Sequence, residues 1–229
     1  MNSILDKEDF IFNTRVHQKI YYNKEVGINE VQKIVEQATI LMQEFEEKLS
    51  FFNEESEVSI INKNASKGFK KVSEDTFEIL KKAVYYSKLT NGIFDITIAP
   101  LVKAWKINSD NPVILEDDKI NELIKLVDYE DVILNENNLS VMLLRENQKI
   151  DLGGIAKGYI ADKIIDFYKQ NNVKSAIINI GGNIKVLGKK DDGSLWNIGI
   201  YEPKKHSEKI ICSIEARDKS IVTSGGYER

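Results

Sequence analysis

The sequence has 229 residues, 42% of them apolar and 30% charged, which is enough apolar material for a real core in one large domain or two small ones. Its net charge of -4 argues against a general nucleic-acid binder, which would carry a basic face. A single cysteine, Cys212, excludes an intrachain disulfide and a thiolate metal cluster, and the two histidines, His17 and His206, belong to no metal-ligand spacing.

The N-terminal MNSILDKEDFIFN has no positively charged start followed by an apolar core, so it does not read as a signal peptide. No apolar run approaches the length of a bilayer span. A soluble, cytoplasmic polypeptide is expected, although removal of an export signal would leave the same pattern. Phe10 to Tyr22 reads as one strand, with partial alternation and β-branched or aromatic residues. From Asn29 to Leu49, Val31, Ile34, Val35, Ala38, Leu41, Met42, Phe45 and Leu49 keep helical spacing among Glu, Gln and Lys, which predicts an amphipathic helix. Ser56 is placed to cap a short helix carrying Val58 and Ile61. Ser73 caps a longer one with Glu74 and Asp75 in its first turn, Phe77, Leu80, Val84 and Leu89 on its apolar stripe, and Asn91-Gly92 at its end.

Asp117 to Val127 predicts a third helix, and Asp131 to Leu134 with Leu139 to Leu144 a hairpin. The last third alternates turns with the apolar runs Trp196 to Tyr201, Ile210 to Ile214 and Ser220 to Ser224. Cys212 lies in one of these runs and is expected to pack as a small buried residue. Lys204-Lys205-His206 with Lys209 stands beside acids and reads as a solvated loop. A strand-rich half after a helix-rich half predicts an α+β, or mixed α/β, architecture.

The most informative stretch is Ile150 to Gly188. A short apolar run ends in Asp151, and Gly153-Gly154 follows at once. A helical pattern then carries Ile155, Ala156, Tyr159, Ile160, Ile164, Phe167 and Tyr168. Ala176 to Ile180, a second glycine pair at Gly181-Gly182, and another apolar run follow. Glycines before a helix let backbone approach a ligand, and the first helical amides lack intrahelical acceptors. With Lys157 one turn in, this is a candidate anion site. The plainer reading is that Gly153 and Gly154 only turn the chain.

Six stretches, in order, resemble the ApbE-type flavin transferases (FAD:protein FMN transferases). LSFFNEESEVSIIN (Leu49 to Asn62) is similar to LS-x-Y-x-x-x-S-E-x-S-x-x-N. TNGIFDITIAPLVKAW (Thr90 to Trp105) is similar to G-x-FD-P-T-x-x-P-L-x-x-x-W, and IDLGGIAKGYIADK (Ile150 to Lys163) to DLGGIAKGYAVD. INIGGNIKVLG, WNIGIYEP and VTSGGYER match the remaining family motifs. The resemblance implies a T-fold-like architecture with helices packed on largely antiparallel sheet. It also implies FAD as substrate, Mg2+, and transfer of FMN to a Thr or Ser hydroxyl of a target flavoprotein with release of AMP. Some relatives mainly hydrolyse FAD to FMN and AMP.

By the same resemblance Phe12 lies against the flavin, Ser50, Phe51 and Phe52 line the FAD, and Asp95 hydrogen-bonds it. The carbonyl near Gly154 joins the metal shell, Lys157 faces the phosphates, and Thr223, Ser224 and Gly225 form part of the same cleft. Each has a plainer reading. The three Phe residues fit a core, Asp95 a cap or turn, and Asp151 a hydrogen bond to the glycine turn. Phe-Asn-Thr stands for the family's Met-Gly-Thr, Phe52 for its commoner Tyr, and Ile96 for the Pro after the Asp.

The sequence stops after Tyr227-Glu228-Arg229. The resemblance implies later segments carrying the catalytic His and the Asp and Thr metal ligands. The chain is therefore expected to be a single ApbE-type domain lacking its C-terminal part, impaired in catalysis and prone to self-association. Two other readings are a non-catalytic flavin-binding protein and, last, a Rossmann-type domain, which would need G-x-G-x-x-G after its first strand.

Overall fold

The segment read as one strand from Phe10 to Tyr22 is in fact part of two. In the computed structural model, which describes residues 2–23, 27–107, 109, 111–204 and 209–225, β1 (Asn2–Ile11) turns at Phe12-Asn13 into β2 (Thr14–Asn23). The strands pair antiparallel from Ile11↔Thr14 to Asn2↔Asn23. Phe12 and Asn13 have φ of 58° and 54°. Positive φ at both central positions gives the two-residue turn whose twist suits a hairpin, and it usually draws Asn-Gly or Asp-Gly. A Phe in the first of these positions carries no turn signal, so the pattern hides the break.

The elements that follow are α1 (Ile28–Leu49), α2 (Glu57–Lys63), β3 (Lys70–Lys71), α3 (Glu74–Leu89), α4 (Ala99–Trp105), α5 (Asp117–Leu123), β4 (Val132–Asn135) and β5 (Ser140–Leu143). After them come α6 (Ala156–Gln170), β6 (Ser175–Ile180), β7 (Asn183–Leu187), β8 (Trp196–Tyr201), β9 (Ile210–Ala216) and β10 (Ser220–Val222). All strand pairs among the described residues are antiparallel, as expected of this α+β class. No helix among these residues is long and apolar enough to cross a membrane. Two compact units divide the chain: residues 1–44 with 157–229, and residues 45–156.

The first unit is built on a five-stranded sheet of order β1-β2-β6-β7-β10. Val16, Gln18 and Ile20 of β2 lie opposite Ile180, Ile178 and Ala176 of β6, and all six are buried on one face. Helices α1 and α6 cover that face. Gln18 is the one polar residue of these six, and it is satisfied from both helices: its Nε2 donates to Thr39 Oγ1 at 2.9 Å, and its Oε1 accepts from the Tyr168 hydroxyl. On the opposite face the β8–β9 ribbon packs Trp196, Ile198 and Ala216 on Val186, with Tyr21, Ile177 and Ile184 around them. One side of the ribbon remains open. Cys212, expected to be buried, is exposed: it shares the face of Ile214 and Ala216 but lies opposite Ile200, toward the end of the ribbon beyond the Trp196 cluster.

On the sheet's outer hairpin Asp6 accepts hydrogen bonds from His17 and, at 2.9 Å, from Lys19. Burial works against the Asp6 charge, but the bonds from Lys19 and His17 outweigh it and hold the carboxyl below the usual carboxylate range. A depressed folded-state value means stabilisation that is present above the ordinary aspartate pKa and lost as pH falls through the depressed one. Asp6→Asn is therefore expected to lower the melting temperature slightly at neutral pH, the effect being small because the pair is half-exposed. The gap to the parent should close in strong acid. A gap that persists there would assign the effect to packing instead.

The second unit packs α2 to α5 with a small sheet of order β3-β5-β4. Its core includes Val58, Ile61, Phe77, Leu80, Ile96, Leu101, Val141, Leu143, Ile150 and Leu152. The predicted caps are in place, with Ser56 Oγ accepting from Ser59 N at 3.0 Å and Ser73 Oγ from Thr76 N at 3.4 Å. Two expectations change. Leu89, assigned to the stripe of α3, is 63% exposed, because it lies in the last turn as the chain leaves the core. The helix predicted over Asp117 to Val127 stops at Leu123 and tightens into a 3-10 turn over Ile124–Leu126.

Candidate functional site

In the first unit the motif residues collect at one end of the sheet. β1 meets β2 at Phe12-Asn13, β6 meets β7 at Gly181-Gly182, and β10 ends at Val222, opposite Asn183. The second glycine pair ties these ends together. Gly181 N donates to Arg15 O at 3.1 Å, Gly182 N to Asn179 Oδ1 at 2.9 Å, and Thr223 N to Gly182 O at 3.3 Å. Gly181 has φ +55°, and a Cβ there would lie 2.4 Å from Thr14 Oγ1; one on Gly182 would lie 3.0 Å from Thr223 Oγ1. Only glycine allows this closeness. The first turn of α6 adjoins the same corner, since a Cβ on Gly158 would stand 3.6 Å from Asn183 Nδ2.

Phe12, Thr223 and the helical turn bearing Lys157 are thus brought to one place. Phe12 is half-buried at the hairpin tip in a backbone region that a bulky side chain occupies only under strain. Thr223, Ser224 and Gly225 are exposed at the end of β10. Tyr227 to Arg229 and His206 lie outside the described residues.

In the second unit three motif stretches interlock. Asn62, last letter of the first motif, holds Ile150 by both backbone groups: its Oδ1 accepts from Ile150 N at 2.7 Å, and its Nδ2 donates to Ile150 O at 3.0 Å. Asp151 N donates to Ile96 O at 2.8 Å. A Cβ on Gly154 would stand 3.1 Å from the Phe94 ring. Asp151 Oδ1 accepts from Gly153 N at 2.7 Å, and Leu152 O accepts from Ile155 N and Ala156 N. These bonds satisfy most amides of the turn and leave that of Gly154 without a partner among the described residues. The open anion-binding donors are fewer than a bare helix start would offer.

The polar letters of the first motif build its loop. Ser50 Oγ accepts from Phe52 N and Asn53 N, and Ser50 O and Phe51 O accept from the hydroxyls of Ser56 and Ser59. The loop holds Phe51 and Phe52 edge to face, with ring centroids 5.4 Å apart. Phe52 is 69% exposed, so the core reading does not describe it. Asp95 caps the 3-10 turn Ile96–Ile98: Oδ1 accepts from Thr97 N at 2.7 Å and from Thr97 Oγ1 at 2.6 Å, while Oδ2 accepts from Tyr129 N at 2.9 Å. An amide in its place could keep the Thr97 bonds only by turning its NH2 toward the Tyr129 amide. Asp95→Asn is expected to cost about 1–3 kcal/mol, read from the urea midpoint. Unchanged stability would mean that these bonds do not hold the turn.

Asn62, Thr14, Asn179 and Asn183 were given no individual role from the sequence. The signal for Asn62 was its place in the first motif, and for Asn179 and Asn183 their positions flanking the second glycine pair.

Magnesium takes about six oxygen ligands, usually one or two carboxylates with waters and phosphates. Among the described residues no three His, Cys, Asp or Glu side chains are grouped to hold a metal ion. Gly154 offers one carbonyl, and the turn's one acid, Asp151, already accepts from Gly153 N through Oδ1. These residues alone do not fit a magnesium shell.

The fold and the gathered motifs define an α+β protein of helices on antiparallel sheet, with two glycine-pair turns that anchor motif residues from distant parts of the chain. The ApbE family pattern matches residues 12–229, and the chain belongs to the ApbE family. It is 35% identical over 189 residues to a Klebsiella pneumoniae FAD:protein FMN transferase, covering 82% of this chain and 58% of that protein. It is 29% identical over 236 residues to the Treponema pallidum FAD:protein FMN transferase, covering 97% and 65%. The chain thus spans about six-tenths of the length of these relatives. Among solved structures, the ApbE protein of Thermotoga maritima superposes with a TM-score of 0.90 at 30% identity, covering 99% of this chain and 72% of that one. The flavin transferase ApbE of Vibrio cholerae gives 0.88 at 25% identity, covering 99% and 73%.

Proposed function

We propose that the protein transfers FMN from FAD to a Thr or Ser hydroxyl of a target flavoprotein. The acceptor oxygen bonds to the phosphorus of the FMN half. The bond from that phosphorus to the bridging oxygen breaks, and AMP leaves with the bridging oxygen. The hydroxyl proton passes to a base, which by the family resemblance is a His in a later segment. In such a reaction, positioning and charge neutralisation do most of the work. Lys157 supplies positive charge to the pyrophosphate, and the Gly154 amide a donor. Phe12, Phe51 and Phe52 offer aromatic surface to the flavin, Ser50 and Asp95 shape their loops, and Thr223, Ser224 and Gly225 contribute backbone and hydroxyl groups.

Family membership and the names of the relatives support this reading. The observation that carries it is the interlocking of three separated motif stretches through Asn62, Ile96 and Phe94 around the Asp151-to-Gly154 turn. The test is incubation of the protein carrying the later His-bearing segment with FAD and an acceptor flavoprotein domain, with magnesium or with a chelator. AMP is followed by chromatography and covalent flavin by fluorescence on a denaturing gel. Equal amounts of AMP and attached flavin, lost on chelation, are expected. AMP without attached flavin would reject transfer in favour of FAD hydrolysis.

A further inference from the structure

Two lysines of the second unit line one cleft, and the acid that shares it is paired elsewhere. The cleft, of about 380 Å³, is lined by Lys103 of α4, Glu122 and Leu123 of α5, Leu126 just beyond it, and Asn147 and Lys149 of the segment leading to Ile150. Its size suits a small molecule. Some lysines of the unit pair with carboxylates, as Lys81 does with Glu136 and Lys63 with Glu54. Among the described residues Lys103 and Lys149 make no ion pair, and Glu122 is held by Lys119 at 2.8 Å. Burial first, and the charge of Lys103 second, hold the Lys149 ammonium below the usual lysine range. Two like charges lining one concave place, Lys149 half-buried and Lys103 exposed, cost the free protein stability, and an oxyanion between them would reduce that cost.

We propose that this cleft binds the oxyanion head of a small organic ligand, a phosphate monoester or a carboxylate, between Lys103 and Lys149, with its apolar body against Leu123 and Leu126. Asn147 provides a further donor, and Glu122 disfavours a second negative group on its side of the cleft. None of the residues given a flavin or metal role lines the cleft, so the inference stands apart from the proposed transfer reaction.

Phenyl phosphate and benzoate present the same ring with the two heads. Each is titrated into the isotope-labelled chain, following amide shifts by NMR. Saturable binding of at least one is expected, with shifts centred on Lys103, Asn147 and Lys149; the tighter probe names the head group. Lys103→Gln and Lys149→Gln should each weaken it roughly tenfold or more, the loss of one charge-assisted hydrogen bond. Without ligand, Lys103→Gln should melt at or above the parent temperature, since it removes a repulsion. No saturable shift with either probe, or equal binding by the double variant, overturns the proposal. So does a Lys103→Gln chain that melts well below the parent, because the lysine would then be structural.

Discussion

Gly188→Ala is expected to be among the most damaging single-methyl changes in the chain, costing about 2–5 kcal/mol. Gly188 directly follows β7 with φ +61°, and a Cβ there would lie 2.1 Å from the carbonyl oxygen of Lys174 and 3.3 Å from its carbon. A left-handed alanine costs about 1–2 kcal/mol, and overpacking typically about 1–3 kcal/mol. The obstacle is backbone, so no rotamer change relieves it. Nor can the turn retreat easily: Gly188 N donates to Asp218 Oδ1 at 2.7 Å, and the preceding Leu187 carbonyl accepts from the Trp196 indole at 3.2 Å. For a domain of this size the loss corresponds to roughly 5–15 °C in Tm. Gly193→Ala is the control. Gly193 also has positive φ, +81°, but nothing lies within 4 Å of its would-be Cβ. That variant should lose only the conformational part, about 1 kcal/mol. Equal melting temperatures for the two would remove the Lys174 contact as the cause.

Asn62→Ala is expected to be comparably costly and to reach the candidate site. Asn62 is nearly buried and Ile150 fully so, and both Ile150 backbone groups depend on the Asn62 side chain. Leaving a buried donor or acceptor unmatched costs about 1–3 kcal/mol, so losing two should cost about 2–5 kcal/mol. Asn62→Asp is no rescue, because it keeps the acceptor for Ile150 N but sets a carboxylate against Ile150 O. Asn64→Ala, two residues on and only half-buried, loses one solvent-accessible bond to Ile60 O and should stay within about 1 kcal/mol of the parent. Ile150 leads directly into Asp151 and the glycine turn, so FAD affinity should fall in Asn62→Ala by more than in Asn64→Ala. Calorimetric titration at a temperature where both variants are folded tests this. Equal FAD affinity would mean that the clamp serves the core alone.

Much was legible locally. The helices α1, α3 and α6 follow from apolar residues at three- and four-residue spacing, and the Ser56 and Ser73 caps bond amides three positions away. The glycine pairs stand where sequence spacing put them, and the family motifs located the stretches that interlock. The Phe12-Asn13 hairpin was hidden because its positive φ values are stabilised by pairing along the whole of β1 and β2, not by the turn residues.

The sequence by itself determined the main helices and their starts, the α+β class and the family, because periodicity, capping and motif spacing act within one or two turns of chain. Only the tertiary structure decided which polar motif letters build loops, that Asn62 grips a backbone 88 residues away, and that Lys174 leaves no room at Gly188. It also decided that Cys212 lies exposed and that Lys103 and Lys149 share a cleft. Those outcomes depend on which side of a strand meets a neighbour and which distant segments fill the same volume. No local pattern carries that information.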